Sequence, residues 1–166
     1  MSKTTTALIL EPNTINGLRS EKNVLIVDLC QAETYIKNHV PNAVYLDYNW
    51  IVTSSKPCMG LLPDIEQLAQ ILTAYGIDEN THVIAYDDEG GGRACRFLWT
   101  LQCVGQQKLS LINGGLHAWS AEGIDMEQQI HFPTPLKQKR EISYDDTRIA
   151  NKNFILEHLE DAFYHF

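Results

Sequence analysis

The chain has 166 residues, 44 % of them apolar and 20 % charged, with a formal net charge of −8. That length and balance suit one globular domain plus an appendage. The acidic surface argues against nucleic acid or an anionic membrane as a partner, since either needs a basic face. No apolar run approaches the ~18 residues of a membrane-spanning helix. The amino-terminal apolar stretch is too short for a secretion signal, so a cytoplasmic protein is expected.

Taken in order, Ala7 to Leu10 reads as a short strand and Pro12 to Ser20 as a helix that turns Ile15 and Leu18 inward. Val24 to Val27 is a continuous apolar run ending in Asp28, the pattern of a strand buried on both faces. Ala32, Tyr35, Ile36 and His39 have helical spacing, and Pro41 stops that helix. Ala43 to Leu46 reads as another strand, and Asp47 to Pro63, lacking periodicity, as a loop. Asp64 with Gln67 three residues on resembles a capping box, opening a helix whose inner face is Ile65, Leu68, Ala69, Leu72 and Tyr75.

The stretch Val83 to Arg96 dominates the reading. Apolar Val83 to Tyr86 completes a strand from His82, then come Asp87, Asp88 and Glu89, then Gly90, Gly91 and Gly92, and a helix begins near Arg93 and runs to Val104. A strand, a Gly-rich turn and a helix amino terminus together aim backbone N–H groups and the helix dipole at an anion. Three adjacent carboxylates are more readily the occupants of such a turn than its neighbours, so a self-satisfied loop is expected. A lone Gly-rich turn is a weak phosphate signal, and the carboxylates lack the spacing of a calcium loop. Leu109 to Ile112 is a strand, Asn113-Gly114-Gly115 a turn, and Leu116 to Ala121 a short helix. Alternating strands and helices predict an open, mostly parallel five-stranded α/β sheet with helices on both faces and its site at the strands' carboxyl ends.

The four cysteines, Cys30, Cys58, Cys95 and Cys103, show no CxxC spacing, and neither a metal site nor a cofactor is expected. Met126 to Glu141 is polar with Pro133 and Pro135 and reads as a surface linker. Beyond it, Ile155, Leu156, Leu159, Ala162, Phe163 and Phe166 form an apolar stripe at helical spacing. That stripe is expected to pack on the first domain or to pair two copies of the chain. The boundaries expected are 1–125 for the domain, 126–143 for the linker and 144–166 for the start of a truncated second domain, a strand plus amphipathic helix that echo the chain's opening.

Four features resemble the rhodanese family. They are Val24 to Asp28 followed by Glu33 to Ala43, with His39 in a His-x-Pro position; Leu111 to Trp119, similar to a Leu-x-Gly-Gly-x-x-x-Trp signature; the loop after Tyr86; and the order of elements from Ala7 to Gly123. The resemblance implies sulfane-sulfur transfer from thiosulfate or 3-mercaptopyruvate to cyanide or a thiol. In catalytic members a Cys directly follows the strand-ending aromatic. Asp87 stands there, in a loop about one residue longer, which is similar to the first, non-catalytic domain of tandem sulfurtransferases. The implied partner is a second, catalytic rhodanese domain. The resemblance also implies structural roles for Asp28, His39 and Trp119. Cys30 stands where many members have Arg, and it is the alternative nucleophile for an enzyme active in its own right; a free-standing binding module is a third possibility. Arg96, one turn into the helix, is expected to pair with a loop acid, and Trp99 and Trp119 to anchor the core.

Overall fold

The computed structural model describes residues 6–159. Five strands form one wholly parallel sheet: β1 (Ile9–Leu10), β2 (Val24–Asp28), β3 (Val44–Tyr45), β6 (His82–Tyr86) and β7 (Leu109–Ile112), in the order β1-β7-β6-β2-β3. A separate hairpin pairs β4 (Thr53–Ser55) with β5 (Cys58–Leu61). The helices are α1 (Pro12–Leu18), α2 (Ala32–Lys37), α3 (Ile65–Ala74), α4 (Gly92–Gln102), α5 (Gly115–Ala121) and α6 (Lys152–His158).

The continuous apolar strands are buried on both faces, and their alternation sorts them. Val27 and Leu29, with Val83 and Ala85, face Leu68, Leu72, Phe97 and Leu101 of α3 and α4. Ile26 and Cys30, with Ile84 and Tyr86, face Ile15 of α1 and Leu116 and Trp119 of α5. A strand residue's side is therefore decided by odd or even position, as the two-residue period requires. Val104 and Leu109 close the first layer and Leu10 and Ile112 the second.

The chain leaves β2 towards β3 through α2, and leaves β6 in the opposite direction towards β7 through α4. Neighbouring strands whose connections diverge open a crevice at their carboxyl ends. That crevice lies between the Asp28–Gln31 turn and the Asp87–Arg93 loop.

Three local expectations are corrected. Residues 47–63 are not featureless: they hold a 3-10 turn (Tyr48–Trp50) and the β4–β5 hairpin, whose residues are all exposed and so carry no burial periodicity. At the start of α3, Asp64 accepts the Glu66 and Gln67 N–H groups as a cap, but the Gln67 side chain donates to the Trp50 carbonyl at 2.9 Å instead of returning to the cap. The expected strand beyond residue 143 is a 3-10 turn, Asp146–Arg148; Ile142 and Tyr144 pack on the α3–α4 core, and Tyr144 Oη donates to the Pro63 carbonyl.

The segment read as a linker is fastened along its length. His39 and Glu127 exchange both backbone hydrogen bonds at 3.0 Å, Leu136 N donates to Thr73 O at 2.8 Å, and the Arg140 guanidinium donates to Ile77 O at 3.2 Å. Leu156 of α6 and Leu159 just after it are more than half exposed. The remaining stripe residues Ala162, Phe163 and Phe166 lie outside the described residues.

Candidate active loop

Asp87 follows β6 and is 1 % exposed. Its Oδ1 accepts the Glu89 and Gly91 N–H groups at 2.9 and 2.7 Å, and its Oδ2 accepts those of Arg93 and Ala94 at 2.9 and 3.0 Å. Four donors thus converge on one carboxylate. Two belong to the turn and two to the first turn of α4, where helix N–H groups have no partner inside the helix. Gly91 reaches this geometry at φ 94°, open to glycine at little cost. The expectation of a loop satisfied by its own carboxylate matches this geometry, and Asp87 is the group that provides it.

The floor of the loop is built by the Gly-Gly turn after β7. Leu116 N donates to the Asp87 carbonyl at 3.1 Å, and a Cβ on Gly115 would overlap that carbonyl oxygen. Gly115, at φ 57°, lets the turn approach this closely.

Asp88 and Glu89 point away from the cradle. Thr34 Oγ1 donates to Asp88 Oδ2 at 2.9 Å, while Asp88 Oδ1 is buried without a hydrogen-bond partner among the described residues. Arg93 bridges Glu89 Oε1 at 2.9 Å and the Leu29 carbonyl at 3.4 Å, and lies over the Tyr48 ring. The loop's arginine is therefore Arg93, four residues from Glu89, and not Arg96. Arg96 instead lies over Trp99 with 5.0 Å to the ring centroid, and its Nε has no hydrogen-bond partner among the described residues. Three residues apart on α4, the two side chains meet on the helix's outer face, which leaves Trp99 36 % exposed and not in the core. Trp119 is fully buried and donates Nε1–H to the Asp125 carbonyl at 3.0 Å.

Beneath the loop, Asp28 is fully buried. It accepts the Cys30 N–H at 2.7 Å on Oδ1 and the Tyr86 hydroxyl on Oδ2, and Tyr86 Oη in turn accepts the Val40 N–H at 3.1 Å. Burial raises the Asp28 carboxyl despite these bonds. Cys30 is 2 % exposed. Burial first, and then the Asp28 charge beside it, push its thiol far above the ordinary range, so the thiolate that sulfur chemistry needs is strongly disfavoured. Cys103 is buried and also raised, by burial, whereas Cys58 and Cys95 are exposed. Cys95 lies outside the inner face of α4, which is Ala94, Phe97, Leu98 and Leu101.

Gln31 and Thr34 at the start of α2 and His117 of α5 join the loop, His117 Nε2 lying 3.1 Å from the Asp88 carbonyl and the Gln31 amide lying beside Glu89 and Arg93. No spacing in the sequence announces them. His39 is fully buried, with Nδ1 at 2.7 Å from the Tyr35 carbonyl and its ring stacked on Tyr35 at 4.0 Å. It lies with Glu127 and His131, a grouping unsuspected from residues separated by nearly ninety positions.

A doubly covered parallel sheet whose switch-point loop encloses an anion with backbone N–H groups defines an α/β protein with an anion-holding active-loop architecture. A rhodanese-like domain model matches residues 11–122, and the chain belongs to that family. It is 34 % identical over 155 residues to a thiosulfate sulfurtransferase of Azotobacter vinelandii, covering 93 % of this chain and 56 % of that protein. To a 3-mercaptopyruvate sulfurtransferase of Escherichia coli it is 30 % identical over 97 residues, covering 58 % of this chain and 34 % of that one. The chain thus spans about half the length of the curated relatives it matches, or less. A solved 3-mercaptopyruvate sulfotransferase from Escherichia coli superposes with a TM-score of 0.81 at 20 % identity, covering 94 % of this chain and 63 % of that one. That likeness establishes the fold. Among the described residues no helix is long and apolar enough to cross a membrane.

Proposed function

We propose that this chain is the non-catalytic rhodanese domain of a tandem thiosulfate or 3-mercaptopyruvate sulfurtransferase, and that it serves a catalytic partner domain. The observation that carries the reading is the Asp87 carboxylate held by four backbone N–H groups. Sulfur transfer needs a thiolate at the centre of such a cradle. The thiolate attacks the outer sulfur of thiosulfate, the S–S bond breaks, and sulfite leaves with the bonding pair. Cyanide then takes the outer sulfur of the persulfide, and the thiolate returns. Asp87 stands at the family's nucleophile position, fills the cradle with a fixed anion, and offers no sulfur to accept the transferred atom.

The same loop supplies a surface. Glu89 is half exposed, and its carboxylate, paired within the loop with Arg93, is the acidic group that the outer loop offers to Arg or Lys of a partner domain. The names of the relatives support sulfur transfer as the activity of the assembly.

The test is thiosulfate:cyanide sulfurtransfer by the purified chain, with each Cys→Ser variant alongside. Thiocyanate formation at background is expected. Turnover abolished by Cys30→Ser would instead make this chain an enzyme with its site below the loop.

A further inference from the structure

Away from the active loop, the strap after α5 crosses the α2–β3 corner and sets two side chains against His39. His39 Nε2 lies 3.7 Å from Glu127 Oε1, and His131 Nε2 lies 2.7 Å from the same oxygen. The three ligand atoms are within 4.8 Å of one another. Tetrahedral ligands about 2.0–2.1 Å from a zinc ion stand about 3.3 Å apart, so small side-chain adjustments close the set.

The hydrogen bonding around His39 points the same way. Nδ1 faces the Tyr35 carbonyl at 2.7 Å, and Nε2 faces the Gln129 carbonyl at 3.0 Å as well as Glu127. Carbonyl oxygens only accept, and a neutral imidazole carries one N–H. With Nδ1–H given to Tyr35, the Nε2 lone pair meets oxygen lone pairs. A positive species belongs between them, either a second ring proton or a metal ion. The Nδ1–H to carbonyl bond is also the outer-shell contact that orients metal-bound histidines. Tyr35 holds the ring from above by stacking, donates its hydroxyl to Ala43 O at 2.9 Å, and accepts the His131 N–H at 3.2 Å. The ligand set is thus preorganised by one buried aromatic.

We propose that His39, Glu127 and His131 form a binding site for a divalent transition-metal ion of the zinc class, which clasps the strap to the α2–β3 corner. Two imidazoles and a carboxylate suit zinc better than calcium or magnesium, which prefer all-oxygen shells. Three protein ligands leave a fourth position for the Gln129 carbonyl or solvent. His39 is sealed, whereas His131 and Glu127 are each about one-quarter exposed, so the ion enters from their side.

The test is titration of the metal-free full chain at pH 7.5 with zinc, followed by calorimetry and thermal melting, and with cobalt(II), followed by its visible d–d absorption. One saturating equivalent, a raised Tm and a tetrahedral cobalt spectrum are expected. His131→Ala and Glu127→Gln, checked for an unchanged fold in EDTA, should each weaken binding by at least about tenfold. Absence of saturable binding by the natural chain, or equal binding by His131→Ala, overturns the site.

Discussion

Asp87 Oδ2 lies 2.9 Å from the Arg93 amide, so the side chain that follows β6 caps the helix that begins five residues later. With Ala94, Gly91 and Glu89 it closes the loop on a single buried anion. Hydrogen bonds to a charged group contribute about 1.5–3 kcal/mol each, and not additively. Asp87→Ala should therefore destabilise the domain by about 2–4 kcal/mol in urea denaturation. Asp87→Asn should lose nearly as much, because its amide turns donors towards donors. Glu89→Ala, at an exposed pair, should stay within about 0.5 kcal/mol.

Gly115 tests the floor of the loop independently. Alanine there combines a left-handed backbone with overlap against the Asp87 carbonyl. The loss should be about 2 kcal/mol or more, with faster amide exchange at Leu116, whose N–H bonds that carbonyl. Gly17, which has open space around it, serves as the control; Gly17→Ala should leave exchange at Leu116 unchanged.

The buried Asp28 predicts a pH dependence of definite sign. Its folded carboxyl lies above the ordinary value of 3.8, raised chiefly by burial. As pH rises, the unfolded chain ionises first, so the stability Asp28 contributes is full below about 3.8 and is lost as pH climbs through the folded value. Measured against Asp28→Asn at several pH values from 3.5 to 7, the natural chain should show the steeper decline over that window. A constant difference across the window would refute the assignment.

Thiol accessibility gives a direct count. Cys58 on the hairpin and Cys95 on the outer face of α4 should react with an aromatic disulfide at neutral pH, and Cys30 and Cys103 only after unfolding. A fast thiol lost in Cys30→Ser would place the Cys30 sulfur within reach of solvent and donor.

Much of the architecture was legible because burial leaves a periodic trace. Val24–Asp28, His82–Tyr86 and Leu109–Ile112 are apolar on both faces, and α3 and α4 show one inner stripe each. The β4–β5 hairpin left none, being exposed throughout, and the strap after Gly123 looked like a linker because its fastening uses backbone groups. At the site, Asp87 was legible as an occupant of the turn. Arg96 was misassigned in place of Arg93, because position along α4 does not say which residue faces Glu89 across the turn.

The sequence by itself determined the strand–helix alternation, the place of the loop and that a carboxylate of its own fills it, all of which follow from residue type and local spacing. That this carboxylate is Asp87 and not Asp88 or Glu89 was decided by the fold. Tertiary structure alone decided that Thr34, Gln31 and His117 join the loop, that Asp28 and Tyr86 seal Cys30, and that Glu127 and His131 meet His39. Those contacts arise where the diverging connections of β2 and β6 and the returning strap bring together segments that no local pattern relates.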